Sequence, residues 1–267
     1  MSTVIAAIDN STTARPVLIA ATALARLLGA EAHAIHVAED EGQTARATAE
    51  SLSIPFTMLS GEPLPQITAR CADDDVVAVA IGARRRLNER RVGHLAHLIA
   101  NAIDKPVLVV PPEARPADRF RTVVIAMEGT PTKARSIKPA VDVAVSADLE
   151  VVVVHVDDET SIPSFSDQAA HETEAYSDEF LARYVHGAPN ARLELRVGVA
   201  ADEILAVSES VAADLLALGW PQSTGGSRGG VAREVLDRSH TPVLLVASAD
   251  TPSARPGTRH DGLPAPR

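Results

Sequence analysis

The sequence predicts an α/β protein in which one doubly wound, parallel-sheet unit occurs twice in tandem. Three observations carry this. Short apolar runs alternate with amphipathic or Ala/Leu-rich stretches along most of the 267 residues, the pattern of successive βα units. Val76 to Ile81 is apolar without interruption, as in a strand covered on both faces. Landmarks of the first half also return at fixed spacing. Asp9 and His36 correspond to Glu128 and His155, 119 residues on (128 − 9 and 155 − 36). Gly61 and Gly82 correspond to Gly198 and Gly219, 137 residues on (198 − 61 and 219 − 82). The step between the offsets places an insertion of 18 residues (137 − 119) between the second and third strands of the second copy.

Taken in order, Val4 to Ile8 reads as a strand ending at Asp9, Asn10, Ser11 and Thr12. Pro16 suits the first turn of the next helix, which runs to Leu28 and is stopped by Gly29. Ala32 to Val37 is a second strand, Gln43 to Leu52 a helix, Phe56 to Leu59 a strand and Pro63 to Ala72 a helix. The strand Val76 to Ile81 then leads through Gly82 and an arginine-rich stretch into a helix, Leu95 to Ile103, and a last strand, Pro106 to Val110. The first domain is expected over 1–112, a proline-bearing linker over 113–120 and the second domain over 121–248. Within the second, residues 161–184 are the insertion, loop-like at first and then helical, with Ala175, Phe180 and Leu181 on one stripe. Pro139 falls inside the first helix of the second copy and predicts a late start or a kink there. Residues 249–267 are too polar and proline-rich to pack and read as a disordered tail.

Composition narrows the function. A net charge of −10 argues against nucleic-acid and anionic-membrane partners, which reward clustered Lys and Arg. The single cysteine, Cys71, excludes an intramolecular disulfide framework and a cysteine-rich metal site, and reads as a small core residue. Aromatics make up only 3%, which suits the small-residue cores of parallel sheets. No secretory leader pattern opens the chain and no apolar run is long enough to span a bilayer, so the expectation is a cytoplasmic protein.

The stretch Leu215 to Val246 organises the rest. An apolar run reads as ending at Gly219, a loop holding Gly225, Gly226 and Gly229 follows, and a helix opens at Gly230 and Val231. Unpaired amides and the positive dipole end at such a helix start make an anion site, with phosphate the obvious ligand. The strand-one ends VIAAIDNS and VVIAMEGT, the HV pairs at His36 and His155, GEPLPQI, VVAVAIGARRR, DLLALG, GGVAREVL and the closing PVLVV and PVLLV resemble the universal stress protein family in tandem form. That resemblance implies an adenine-nucleotide α-hydrolase-like fold: two five-stranded parallel sheets of strand order 3-2-1-4-5, packed through their last strands as an intramolecular pseudo-dimer. It also implies ATP, with Mg²⁺ as a companion ion, held by a loop of the form G-x2-G-x9-G-[ST]. Carried over, the first copy offers Asp9, Val37, Gly82 and Gly93, with Arg85 in place of the middle glycine and His94 in place of the hydroxyl residue. The second offers Glu128 for the aspartate, with Gly129, Val156, Gly219, Gly226, Gly229, Gly230 and Val231, and Gln222 at the middle position. Both loops are shorter than the family pattern, by two residues and three.

Each candidate has a plainer reading beside it. Asp9 fits a turn cap as well as a ligand contact. Arg84, Arg85, Arg86, Arg90 and Arg91 could grip phosphate or form a solvated face. His36 and His155 suit a structural role at strand ends, and His94 with His97 lacks a carboxylate partner for a metal. No Walker loop, H-E-x-x-H, nucleophile elbow or Rossmann fingerprint is present. Three functions remain open: a stress protein with ATP as a regulatory, non-catalytic ligand; a pair of such domains that has lost the nucleotide and acts through contacts with an unidentified protein partner; and a weak ATP hydrolase. A homodimer is open in each.

Overall fold

The computed structural model describes residues 1–37, 42–83, 94–114, 116–128, 131–157, 169–185, 188, 190–221 and 230–248. In the first half, β1 (Thr3–Ile8), α1 (Ala14–Leu27), β2 (Glu31–Val37), α2 (Gln43–Ser51), β3 (Phe56–Leu59), α3 (Pro63–Cys71), β4 (Val76–Gly82), α4 (His94–Ala102) and β5 (Val107–Val110) alternate as the apolar runs require. The second half follows with β6 (Thr122–Ala126), α5 (Pro131–Ser146), β7 (Glu150–Asp157), α6 (Ala169–Tyr184), β8 (Ala191–Val197), α7 (Ala200–Ser210), β9 (Leu215–Pro221), α8 (Gly230–Arg238) and β10 (Val243–Ser248).

The strands form one sheet in the order β3-β2-β1-β4-β5-β10-β9-β6-β7-β8. Each half is thus the five-stranded 3-2-1-4-5 unit, with every pairing inside it parallel. The halves meet where β5 and β10 pair antiparallel, Val109 opposite Val243, Leu108 opposite Leu244 and Val107 opposite Leu245. Two apolar edges that would otherwise template aggregation are covered by each other. Successive strand residues point to opposite faces, and two core layers result. One gathers residues of α1, α2, α5 and α6 over Val4, Ala6, Ala80, Leu108, Ile125 and Ala217. The other gathers residues of α3, α4, α7 and α8 over Ile5, Val79, Val109, Val152, Leu216 and Leu245. Both layers draw on both halves. Phe120, just before β6 in the expected linker, is itself buried in the first.

Local chemistry sets the ends. Gly29 takes a left-handed φ of 62° and stops α1, its N–H donating to the Arg26 carbonyl while the Ala30 N–H reaches the Ala25 carbonyl. Two expectations need correction. Helix α5 begins at Pro131 and carries Pro139 within it, so there is no late start. Strand β9 does not stop at Gly219 but runs on to Pro221, because Val246, Ala247 and Ser248 of β10 pair with Gly219, Trp220 and Pro221. No helix among the described residues is long and apolar enough to cross a membrane.

Candidate functional site

Strand order reverses between β1 and β4 in the first half and between β6 and β9 in the second, which opens a crevice at the carboxyl ends of those strands. In the first half, Asp9 follows β1 directly and its Oδ1 accepts the Ser11 N–H at 2.9 Å, a local turn. The hydroxyls of Ser11 and Thr13 lie 2.6 Å apart. Asn10 Oδ1 accepts the Ala45 N–H at 2.9 Å and ties this loop to the first turn of α2. Gly82 closes β4 on the face toward α1, and a side chain there would meet Val17 Cγ2 at 3.4 Å and Thr13 Oγ1 at 3.5 Å. A Cβ at Gly82 would thus rest in ordinary van der Waals contact with the start of α1.

In the second half the counterparts of Asp9 and Gly82 are Glu128 and Gly219. Glu128 is exposed one residue beyond Met127, which is buried and donates its N–H to the Val154 carbonyl at 2.9 Å. Among the described residues, no atom comes within 4 Å of where a Cβ on Gly219 or on Gly230 would lie. Gly230 is the exposed first residue of α8, and Val231 beside it is 42% exposed. Val37 ends β2 and Val156 lies one residue before the end of β7; both are half-buried, opposite Leu59 and Arg196, and pack on the second core layer. Gly129, Arg85, Gly93, Gly226 and Gly229 lie outside the described residues, as do Arg84, Arg86, Arg90 and Arg91.

The repeated histidines act as strand-end staples. His36 Nδ1 lies 2.9 Å from the Ile8 carbonyl and His155 Nδ1 2.9 Å from the Met127 carbonyl. A carbonyl only accepts, so Nδ1 carries the proton in both. The structural reading of both residues fits this geometry. Their surroundings differ: His155 Nε2 lies 3.4 Å from Asp157 Oδ1, and its ring packs on Phe180 of α6 with centroids 5.3 Å apart. Phe180 in turn meets Tyr176 at 6.0 Å and Tyr184 at 4.8 Å. Burial, then the Asp157 carboxylate, pushes the Tyr176 phenol above its ordinary value. Among the described residues, no group of three or more His, Cys, Asp or Glu is placed to hold a metal ion.

Two features escaped the sequence reading. Trp220, at the end of β9, is 2% exposed and donates its indole N–H to Asn101 Oδ1 on α4 at 3.0 Å, across the seam between the halves. The His97 ring stands 5.7 Å from it. The signal available was a single tryptophan set beside a glycine loop. The other is the ring stripe of α6, legible in the spacing of Tyr176, Phe180 and Tyr184 at i, i+4 and i+8.

Fold and crevice together define a doubly wound α/β module with a crevice at the strand carboxyl ends. Residues 119–247 match the model of the universal stress protein family. Universal stress protein MJ0531 of Methanocaldococcus jannaschii is 27% identical over 139 residues, 48% of this chain and 82% of that protein. A functionally unknown protein from Pseudomonas aeruginosa PAO1 has a similar solved structure, with a TM-score of 0.69 at 16% identity over 94% of each chain. A universal stress protein from Archaeoglobus fulgidus DSM 4304 is similar over 92% of this chain and 98% of its own, with a TM-score of 0.64 at 16% identity. The second half of the chain matches the universal stress protein family, and the likeness in fold extends over both halves.

Proposed function

We propose that this protein binds an adenine nucleotide, ATP, as a regulatory and non-catalytic ligand, and that the second-half crevice is where it binds. The observation that carries the reading is the space at Gly219 and Gly230. Glycine stands at both positions although neither has a left-handed φ and no described side chain crowds it. Backbone that can be approached closely at a helix start suits phosphate. Glu128 and Val156 are the strand-end residues beside the base end of such a ligand, and Gly129, Gly226, Gly229 and Val231 complete the set proposed from the sequence. Mg²⁺ would arrive with the triphosphate and temper the charge of Glu128. Regulation rather than turnover is proposed because no recognised catalytic loop occurs in the sequence. The first half, with α1 over Gly82, is proposed as the partner domain of a pair bounded at 1–112 and 121–248.

Isothermal calorimetry with ATP tests this. Gly230→Leu meets no described atom, so the melting midpoint should hold while ATP affinity falls by an order of magnitude or more. Loss of binding with Asp9→Ala and not with Gly230→Leu would move the site to the first half.

A further inference from the structure

The insertion of the second half carries an aromatic wall to the height of that half's crevice. In the first half, His36 meets the amino end of α2: a Cβ on Gly42, the N-cap, would lie 2.6 Å from His36 Cδ2. In the second half the equivalent His155 instead meets Phe180, 11 residues into α6 (180 − 169). Helix α6 therefore continues past the level of the histidine, toward the strand ends, where α2 has no counterpart. Tyr176 stands one turn further along it, about 6 Å beyond Phe180 at a rise of about 1.5 Å per residue. Its ring packs on Phe180 at 6.0 Å and 47°, yet Tyr176 stays 44% exposed. Phe180, 4% exposed, is wedged between Tyr176, Tyr184 and His155, and His155 is fixed to the Met127 carbonyl next to Glu128. The exposed ring is thus braced against the strand ends that form the crevice, and a braced ring loses little freedom when a second ring stacks on it.

We propose that Tyr176 is a stacking wall for the base of a nucleotide held in the second-half crevice, a specificity element supplied by the insertion and absent from the first half. The proposal rests on the nucleotide reading above and adds a planar heteroaromatic ring as the chemistry that α6 selects. ATP and inorganic tripolyphosphate, titrated separately into wild type, Tyr176→Phe and Tyr176→Ala by calorimetry, test it. ATP should bind wild type and Tyr176→Phe within about two-fold of each other and Tyr176→Ala roughly ten-fold more weakly, the range of one base–aromatic stack. Tripolyphosphate, which has no base, should bind wild type and Tyr176→Ala alike. Equal ATP affinity in all three proteins overturns the proposal and leaves the nucleotide reading standing. Loss of ATP and tripolyphosphate together in Tyr176→Ala also overturns it, since the residue would then act on the fold rather than the base. If wild type binds neither probe, the nucleotide reading falls and the stacking wall falls with it.

Discussion

At Asp75 the carboxylate takes one hydrogen bond from each terminal nitrogen of Arg70, both at 3.0 Å, and a third from the Thr3 hydroxyl at 3.0 Å. Arg70, with Thr3 behind it, holds the Asp75 carboxyl down to about 2. A carboxyl lowered in the folded state contributes stability above its unfolded value, near 4, and that contribution is lost as pH falls toward the folded value. Asp75→Asn should therefore lower the melting midpoint at pH 7 and converge on wild type by about pH 2. An equal deficit at both pH values would assign the loss to packing. Cys71 is the opposite case: burial pushes its thiol up to about 11, so a thiol reagent at pH 8 should label it only after unfolding. Rapid labelling of the native protein would contradict its place in the core. These single-residue readings vary in how far they could be made from the sequence. Cys71 in a predicted helix and the paired histidines were legible because local pattern and the repeat set them. Trp220 was not, because its partner Asn101 lies 119 residues away and becomes a neighbour only when β10 docks on β5.

Among elements, α5 carries an exposed proline where a helix interior wants an N–H. Pro139→Ala restores a donor toward the Arg135 carbonyl and should stabilise the protein by about 1 to 3 kcal/mol. An unchanged or lower midpoint would mean that α5 is shaped around the proline. The pairing of β5 with β10 is the junction of the halves, and Val109 and Leu244 are buried in it. Val109→Asp or Leu244→Asp puts an unpaired charge there and should cost on the order of 3 to 5 kcal/mol, against well under 1 for an exposed site. A thermal midpoint untouched by either change would place the junction elsewhere. Element type was readable along the described chain because apolar runs and Ala/Leu stripes differ in period. The end of β9 was not, because Gly219 and Pro221 look like a turn until β10 supplies a partner for them. The helix of the insertion was legible, but not its purpose, since Phe180 finds His155 only through the fold.

On the scale of the molecule, ten strands of the described residues join in one sheet, and both halves contribute to each of its two core layers. Trp220 anchors the end of β9 to α4 of the other half. The tandem architecture and the crevice could be expected from the repeat alone, whereas the contact of Thr13 and Val17 with Gly82 depends on how α1 lies on β4. The central claim is that the second-half crevice holds an adenine nucleotide. Its most direct test is mass spectrometry of whatever is released on denaturing freshly purified protein, before and after incubation with ATP and Mg²⁺. The account expects an adenine nucleotide in wild type and little in Gly230→Leu. Wild-type protein that releases none, and takes up none from ATP, would contradict it.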